Sequence, residues 1–310
     1  MNKRKIWFIA TIAIVLLFVG GYGFAIYRTI NKTVESIHEP MQREKSEKRQ
    51  EKVTLDKKEP FSVLLLGVDE RAGDKGRSDT IIVMTINPNL DSIKMLSIPR
   101  DTRTEIIGLH KLDKINHAYA FGDIKMAIAT VEDFLDIPID YYVKINMEGF
   151  KEMVDAVGGV TVNNSMKFVQ DGHTFDKGTI KLTGEAALSY VQMRKEDPKG
   201  DFGRQERQQQ IIKSIFKKGA SITSLTKYEA IFDAIGDNVK TNLKLSELIT
   251  IQKDYNDVIQ NVEQLQLHGK GQIIDGIYYL IISEQEKQRV EKILKAHLRG
   301  SVPHTFKAVK

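Results

Sequence analysis

Three residues raise the possibility of chemistry by type and spacing: Asp69, Asp79 and Arg100. Asp69 closes Leu64-Leu-Leu-Gly-Val-Asp69, Asp79 lies in Arg77-Ser-Asp-Thr80, and Arg100 lies in Ser97-Ile-Pro-Arg-Asp-Thr102. Each adjoins a short apolar, β-branched run (Phe61–Leu66, Ile81–Ile86, Ser92–Ile98) bounded by Gly, Pro or Asn, which is a strand signal. The brief link at Asn87-Pro-Asn89 suits a hairpin. If the three runs pair as an antiparallel meander, Asp69 falls just past the first strand, Asp79 just before the second and Arg100 just past the third. All three then share one edge of the sheet. Carboxylate oxygens suit Mg²⁺, which commonly takes one or two of them plus substrate phosphate. A divalent cation beside a phosphate is one reading; acids that merely cap turns is the other.

A second charged cluster runs from Met193 to Gln208. Pro198 and Gly200 make its first half a loop, and Arg204 opens a helix on which Arg204 shares a face with Arg207 and with Gln208. Guanidinium groups near a helix N-terminus are suited to bidentate capture of phosphate oxygens. The alternative is a solvated charged loop.

The elements that must hold these clusters read as mixed α/β. Helices are expected at Asn116–Leu135, Met147–Val157 (stopped by Gly158-Gly159), from Thr183, and at Arg204–Lys218, Lys227–Ile235, Ser246–Val258 and Ser283–Leu298. Strands are expected at Tyr141–Ile145, Val160–Val162, Val262–Leu267 and Ile277–Ile282. Strands interspersed with helices imply a three-layer α/β/α sandwich around a central mixed sheet. Apolar residues of the first helix (Phe121, Met126, Ile128, Phe134) or of the fourth (Ile211, Ile212, Ile215) are candidates to line an apolar pocket, although such stripes are usually core.

Ahead of that domain, Ile6–Tyr27 holds no charged residue, and about 20 apolar residues cross a bilayer. Lys3, Arg4 and Lys5 precede the run, so residues 1–5 stay in the cytoplasm and the remainder is exported on a single-pass signal-anchor. A cleaved signal peptide is the competing reading, but the run's last stretch, Gly21–Tyr27, ends in bulky residues where a small-x-small site would be expected. Residues 28–59 are dense in Lys, Arg and Glu and read as a solvated extracellular stalk. Residues 60–300 form the domain, with 301–310 as a tail. The 310-residue chain has no cysteine and is 41% hydrophobic, enough for a sizeable core without disulfides. Its formal charge is +5, but Lys3, Arg4, Lys5 and Arg28 supply four of those charges within the first 30 residues. The exported part has no broad basic excess, and nucleic acid is not an expected partner.

The blocks at Leu64–Asp69, Arg77–Thr80, Ser97–Thr102, Lys114-Ile-Asn-His-Ala-Tyr119 and Gly200-Asp-Phe-Gly-Arg204 with Gln208, in this order, resemble the LytR-CpsA-Psr family, and within it the wall teichoic acid transferases of Gram-positive bacilli. The resemblance covers about residues 60–300. It implies a phosphotransferase that moves an anionic glycopolymer from undecaprenyl diphosphate to the muramyl C6 hydroxyl of peptidoglycan. By the same resemblance, Asp69 and Asp79 match Mg²⁺-associated acids, with Mn²⁺ as the substitute ion. Arg100, Arg194 and Arg204 match diphosphate-binding arginines, Gln208 an accompanying glutamine and Asp201 a further acid, with Arg103 as a helper. One position departs from the pattern: Gln192 stands where the family usually has an arginine two residues before Arg194. Two other functions remain open, a lipid-diphosphate pyrophosphohydrolase and a non-catalytic membrane-tethered regulatory or binding protein.

Overall fold

The alternation of side chains along three adjacent strands explains the architecture. The computed structural model describes residues 34–70, 76–220 and 236–300, together with positions 28, 31, 32 and 231. Strands β1 (Phe61–Val68), β2 (Ser78–Asn87) and β3 (Ser92–Ser97) form the antiparallel meander expected from the sequence. The hairpin β4 (Arg103–Ile106) and β5 (Lys111–Lys114) follows, then helix α1 (His117–Leu135), β6 (Tyr141–Asn146) and α2 (Met147–Ala156). Short strands β7 (Val160–Asn164), β8 (Phe168–Gln170), β9 (His173–Phe175) and β10 (Gly178–Leu182) lead to α3 (Gly184–Gln192) and α4 (Asp201–Ala220). The chain ends with β11 (Val239–Thr241), α5 (Leu245–Asp254), β12 (Val262–Gln266), the hairpin β13 (Lys270–Ile274) and β14 (Ile277–Ile281), and α6 (Glu284–Leu298).

Six strands form the central sheet in the order β11-β6-β1-β2-β3-β12, parallel at β6/β1 and β3/β12 and antiparallel elsewhere. Leu64, Leu66, Ile81, Val83 and Leu96 point to one face, against Ile128, Val131 and Phe134 of α1 and Val290 and Leu294 of α6. Phe61, Val63, Ile82, Met84 and Met95 point to the other, against Tyr255 and against Ile212 of α4 and Leu248 of α5. A period of two sends neighbouring residues to opposite faces, and both faces are covered, so each strand reads as a continuous apolar run. A smaller lobe gathers Val160, Phe168, Phe175, Leu182 and Tyr190 around Ile211 of α4. Most residues of the two alternative pocket linings are instead taken up in hydrophobic clusters, whereas Phe121 is 49% exposed. The α1 residues Ile128 and Phe134 are core on one face of the sheet, Ile212 belongs to the cluster on the other face, and Ile211 and Ile215 belong to the smaller lobe.

Several boundaries differ from expectation for identifiable reasons. Helix α1 is kinked at Gly122 and Asp123, where Asp123 takes φ 59°. Helix α5 stops at Asp254, because Tyr255 leaves helical geometry and its hydroxyl donates to the carbonyl oxygens of Leu55 and Glu59. The helix expected at Lys227–Ile235 lies outside the described residues apart from position 231, as do Ile6–Tyr27 and the 301–310 tail. Among the described residues no helix is long and apolar enough to cross a membrane.

The charged segment read as a solvated stalk is, over residues 34–59, part of the folded body. Arg43 donates to both carboxylate oxygens of Glu132 at 2.6 and 2.9 Å and to the Ile139 carbonyl, and Arg49 grips Asp140 at 2.5 and 2.6 Å. Glu132 and Asp140 are both buried acids, and Ile37, Val53 and Leu55 are buried beside the sheet. Composition recorded the charges but not their partners, which lie some 90 residues away in the chain. Paired, bidentate guanidinium contacts allow such a segment to pack.

A buried histidine makes one stability prediction. His297 of α6 is 1% exposed and its ring bridges the hydroxyls of Thr85 and Ser92 at 2.7 and 3.0 Å. Burial pushes the imidazole down to about 4; Lys94 adds to the shift and Glu263 opposes it. The unfolded chain, with an ordinary imidazole near 6.5, binds the proton more readily across this window. Stability is therefore complete above about pH 6.5 and declines as pH falls toward 4, by roughly 3 kcal/mol. Urea unfolding at pH 7 and pH 4.5 should show that decline, and His297→Gln should remove most of the difference.

Candidate active site

Asp79 owes its position to an irregularity in the sheet. Between β1 and β2 the register runs Gly67↔Thr80 and then Val68↔Ser78, which leaves Asp79 as the extra residue of a β-bulge. Bulges bend a strand and re-aim a side chain, and they concentrate beside active sites. The strands approach closely here: a Cβ on Gly67 would lie 2.9 Å from the Thr80 Cβ. Asp69 follows the end of β1, and its amide donates to the Arg77 carbonyl at 3.1 Å, closing the neck of the loop between the strands. Arg100, just past β3, places its guanidinium 2.9 Å from the Asp79 carboxylate. The edge expected from the sequence is thus assembled.

The first turns of α4 close over that edge. Arg204 lies 2.7 Å from the Asp201 carboxylate and directs the same terminal nitrogen at the Asp79 carbonyl, 3.5 Å away. Gln208, one turn on, donates to the Thr80 hydroxyl at 2.9 Å, and Gln209 to the Ser97 hydroxyl at 2.7 Å. The helix is therefore fastened to the start of β2 and the end of β3.

The electrostatics of this edge suit an anion. Burial, the largest influence, lowers the proton affinity of Arg204, and Arg100 and Arg194 lower it further, against Asp201 and Asp79. The net direction is down, so the neighbouring acids do not fully compensate this cation. Arg100 shifts the other way: burial lowers its affinity, but Asp79, Asp101 and Asp201 together outweigh it. Arg204 is 8% exposed, and its Nε is buried with no hydrogen-bond partner. Buried donors are nearly always satisfied, so this orphan is a candidate contact for an incoming acceptor. Thr102 Oγ1 and Asn116 Oδ1, beside Arg100 in the chain and through the Asn116 amide to the Arg100 carbonyl, are also unpartnered.

The structure brings together most of the residues picked from sequence. Asp79, Arg100, Asp201 and Arg204 interact directly, Gln208 joins through Thr80, and exposed Arg194 lies within electrostatic range of Arg204. Arg103 does not join them. Its guanidinium sits over the Tyr279 ring at 5.6 Å, in a neighbouring cluster where Lys114 pairs with Asp101 at 2.6 Å. Gln192 is exposed at the end of α3, its amide nitrogen 3.7 Å from the Met147 sulfur. His117 Nδ1 is 3.1 Å from Asp113, whose carboxyl is drawn down to about 2 against a large opposing burial effect, by Lys111, the Lys114 amide and His117. Arg207, expected on a common face with Arg204, turns away to a buried pairing with Asp197 at 2.5 Å and to the carbonyls of Tyr190 and Met193. Its packing role was missed; the aromatic residues it stacks on, Phe168 and Tyr190, are distant in sequence.

The chain is thus a mixed α/β protein with a six-stranded sheet between helices, and acids and arginines from separate segments meet at the bulged sheet edge. The chain belongs to the LytR_cpsA_psr family, whose profile matches residues 24–296. It is 51% identical over 299 residues to a polyisoprenyl-teichoic acid–peptidoglycan teichoic acid transferase, TagU, of Bacillus cereus, covering 96% of this chain and 98% of that one. The Bacillus subtilis (strain 168) protein of the same name is 50% identical, with 96% and 97% covered. Among solved structures, that of B. subtilis TagU superposes with a TM-score of 0.65 at 48% identity, over 78% of this chain and 97% of that one. The structure of TagT bound to LI-WTA superposes with a TM-score of 0.73 at 35% identity, over 84% and 100%.

Proposed function

We propose that this chain is a phosphotransferase that moves an anionic cell-wall glycopolymer, wall teichoic acid, from undecaprenyl diphosphate to the muramyl C6 hydroxyl of peptidoglycan. The observation that carries the reading is the buried, unpartnered Nε of Arg204 beside Arg100 and Asp79. A diphosphate oxygen is the acceptor that such a donor lacks. The relatives' identity over nearly the whole chain supports the same class of reaction.

In this mechanism the residues position and neutralise, which is most of what phosphoryl transfer requires. Arg100 and Arg204 hold the diphosphate oxygens, and Arg194 approaches from the loop before α4. Gln208 anchors Thr80 and so keeps α4 registered on the bulge. A carboxylate at the edge, Asp69 or Asp79, accepts the proton of the attacking hydroxyl, and the bond to undecaprenyl phosphate breaks as the new phosphodiester forms. Asp69 and Asp79 follow and precede residues that pair across β1 and β2, and two carboxylates completed by substrate phosphate match the hard-oxygen preference of Mg²⁺ or Mn²⁺. When bound there, the ion supplies charge neutralisation on the diphosphate. Ile6–Tyr27 as a membrane anchor would hold the domain outside the cell, beside the leaflet that presents the lipid carrier.

Gln192 provides a graded prediction. A charged hydrogen bond contributes about 1.5–3 kcal/mol against roughly 1 for a neutral one. Gln192→Arg is therefore expected to tighten binding of a lipid diphosphate about fivefold, read as a lower KM with kcat nearly unchanged. The deciding experiment incubates the exported domain with a lipid-diphosphate-linked teichoic acid precursor, a peptidoglycan oligomer and Mg²⁺. A covalently joined product is expected. Release of free polymer with no joining would replace transfer by hydrolysis, and binding without turnover would leave a tethered binding protein.

A further inference from the structure

Beside the candidate site lies a second, tightly connected group of polar side chains with no role so far. Glu70, the residue after Asp69, accepts a hydrogen bond from the Tyr119 hydroxyl, and its two carboxylate oxygens lie 3.1 and 3.3 Å from the Lys144 ammonium. Lys144 also reaches the Tyr119 oxygen at 3.1 Å and stands 5.7 Å from the centre of the ring. Each member comes from a different segment: Glu70 from the loop start two residues past β1, Lys144 from β6, where it pairs with Leu66, and Tyr119 from the first turn of α1, ahead of the Gly122–Asp123 kink. Tyr119 is 1% exposed, and the Lys144 side chain 17%. A surface ion pair would contribute little. Here the Glu70 side chain is 30% exposed, but its two partners are held on β6 and α1, so they tether the backbone at the loop start, Glu70, to two fixed elements.

That backbone is the stem of Asp69. On one side Asp69 is set by the strand β1, on the other by Glu70, and its own amide is held by the Arg77 carbonyl. We propose that Glu70, Tyr119 and Lys144 form a clamp that fixes the direction of Asp69 and thereby sets the affinity of the Asp69–Asp79 pair for a divalent cation. The proposal rests on the reading of those two acids given above. The three are positioning residues: they act through Asp69 and touch neither substrate nor ion. Groups that orient metal ligands in this way typically contribute 10–100-fold in metal affinity.

The test measures Mn²⁺ binding to the folded exported domain directly, by electron paramagnetic resonance of free Mn²⁺, alongside thermal unfolding. Wild type, Asp69→Ala, Tyr119→Phe, Lys144→Met and Lys144→Arg are compared. Tyr119→Phe removes one hydroxyl and Lys144→Met keeps the stem, so both should remain folded. The clamp is supported if both weaken Mn²⁺ binding about tenfold, if Lys144→Arg restores most of it, and if KM for the lipid diphosphate moves little. Wild-type Mn²⁺ affinity in Tyr119→Phe and Lys144→Met, with Asp69→Ala deficient, overturns the clamp and leaves the acid pair intact. Absence of binding in the wild type overturns both the clamp and the cation reading.

Discussion

Arg100→Ala is expected to lose about 10³-fold in transfer rate while the domain stays folded. Arginines that stabilise a transferring phosphoryl group are worth 10³–10⁵ in rate, and Arg100 is the residue that bridges the end of β3 to the bulged acid. Its side chain is 23% exposed and lies at the rim of the sheet, so its removal leaves no large cavity. Asp79 then loses its cation, and the edge has one positive group fewer to hold a diphosphate. Asp79→Ala should abolish transfer for the complementary reason, since the bulge would present no carboxylate to an ion or to the acceptor hydroxyl. The measurement is the rate of joined product with Tm recorded for each variant. Wild-type turnover in folded Arg100→Ala would sink the mechanism.

The largest stability effect is expected at Arg207. Its side chain and that of Asp197 are 5% and 6% exposed, and the guanidinium also donates to the carbonyls of Tyr190, at 3.0 Å, and Met193. Removing one member of a buried pair strands the other charge and costs about 3–5 kcal/mol. Arg207→Leu should therefore lower Tm by roughly 10 °C, at about 2–4 °C per kcal/mol for a domain of this size. The loss should also reach activity. Arg207 ties α4 to the end of α3 and to the loop that carries Arg194, so that loop loses its fixed start. Asp197→Asn, which keeps shape and a hydrogen bond while removing the charge, should fall between wild type and Arg207→Leu in differential scanning calorimetry. Equal Tm values for all three would remove the pair from the stability of the fold.

The sequence alone determined whatever depends on neighbours in the chain. Apolar runs and turn residues gave β1, β2, β3, β6 and β12, the Gly158-Gly159 stop after α2, and the helix α6 to within one residue of its start, where Ser283 proves to be the cap rather than the first helical residue. Because a meander fixes which strand ends coincide, strand pattern alone places Asp69, Asp79 and Arg100 on one edge. The ordered blocks made the family legible and brought Arg204 and Gln208 to the same site.

Tertiary structure decided what depends on partners far along the chain. No local signal shows that Asp79 is a bulge residue, since a bulge is a property of two strands in register. Nor could composition reveal that Arg43 and Arg49 find buried carboxylates and draw the charged leader onto the domain. Arg204 and Arg207 are alike in sequence, three residues apart on one helix. Only the packing around α4 sends the first toward the sheet edge and the second into the smaller lobe, because charge is local while desolvation and pairing belong to the assembled fold.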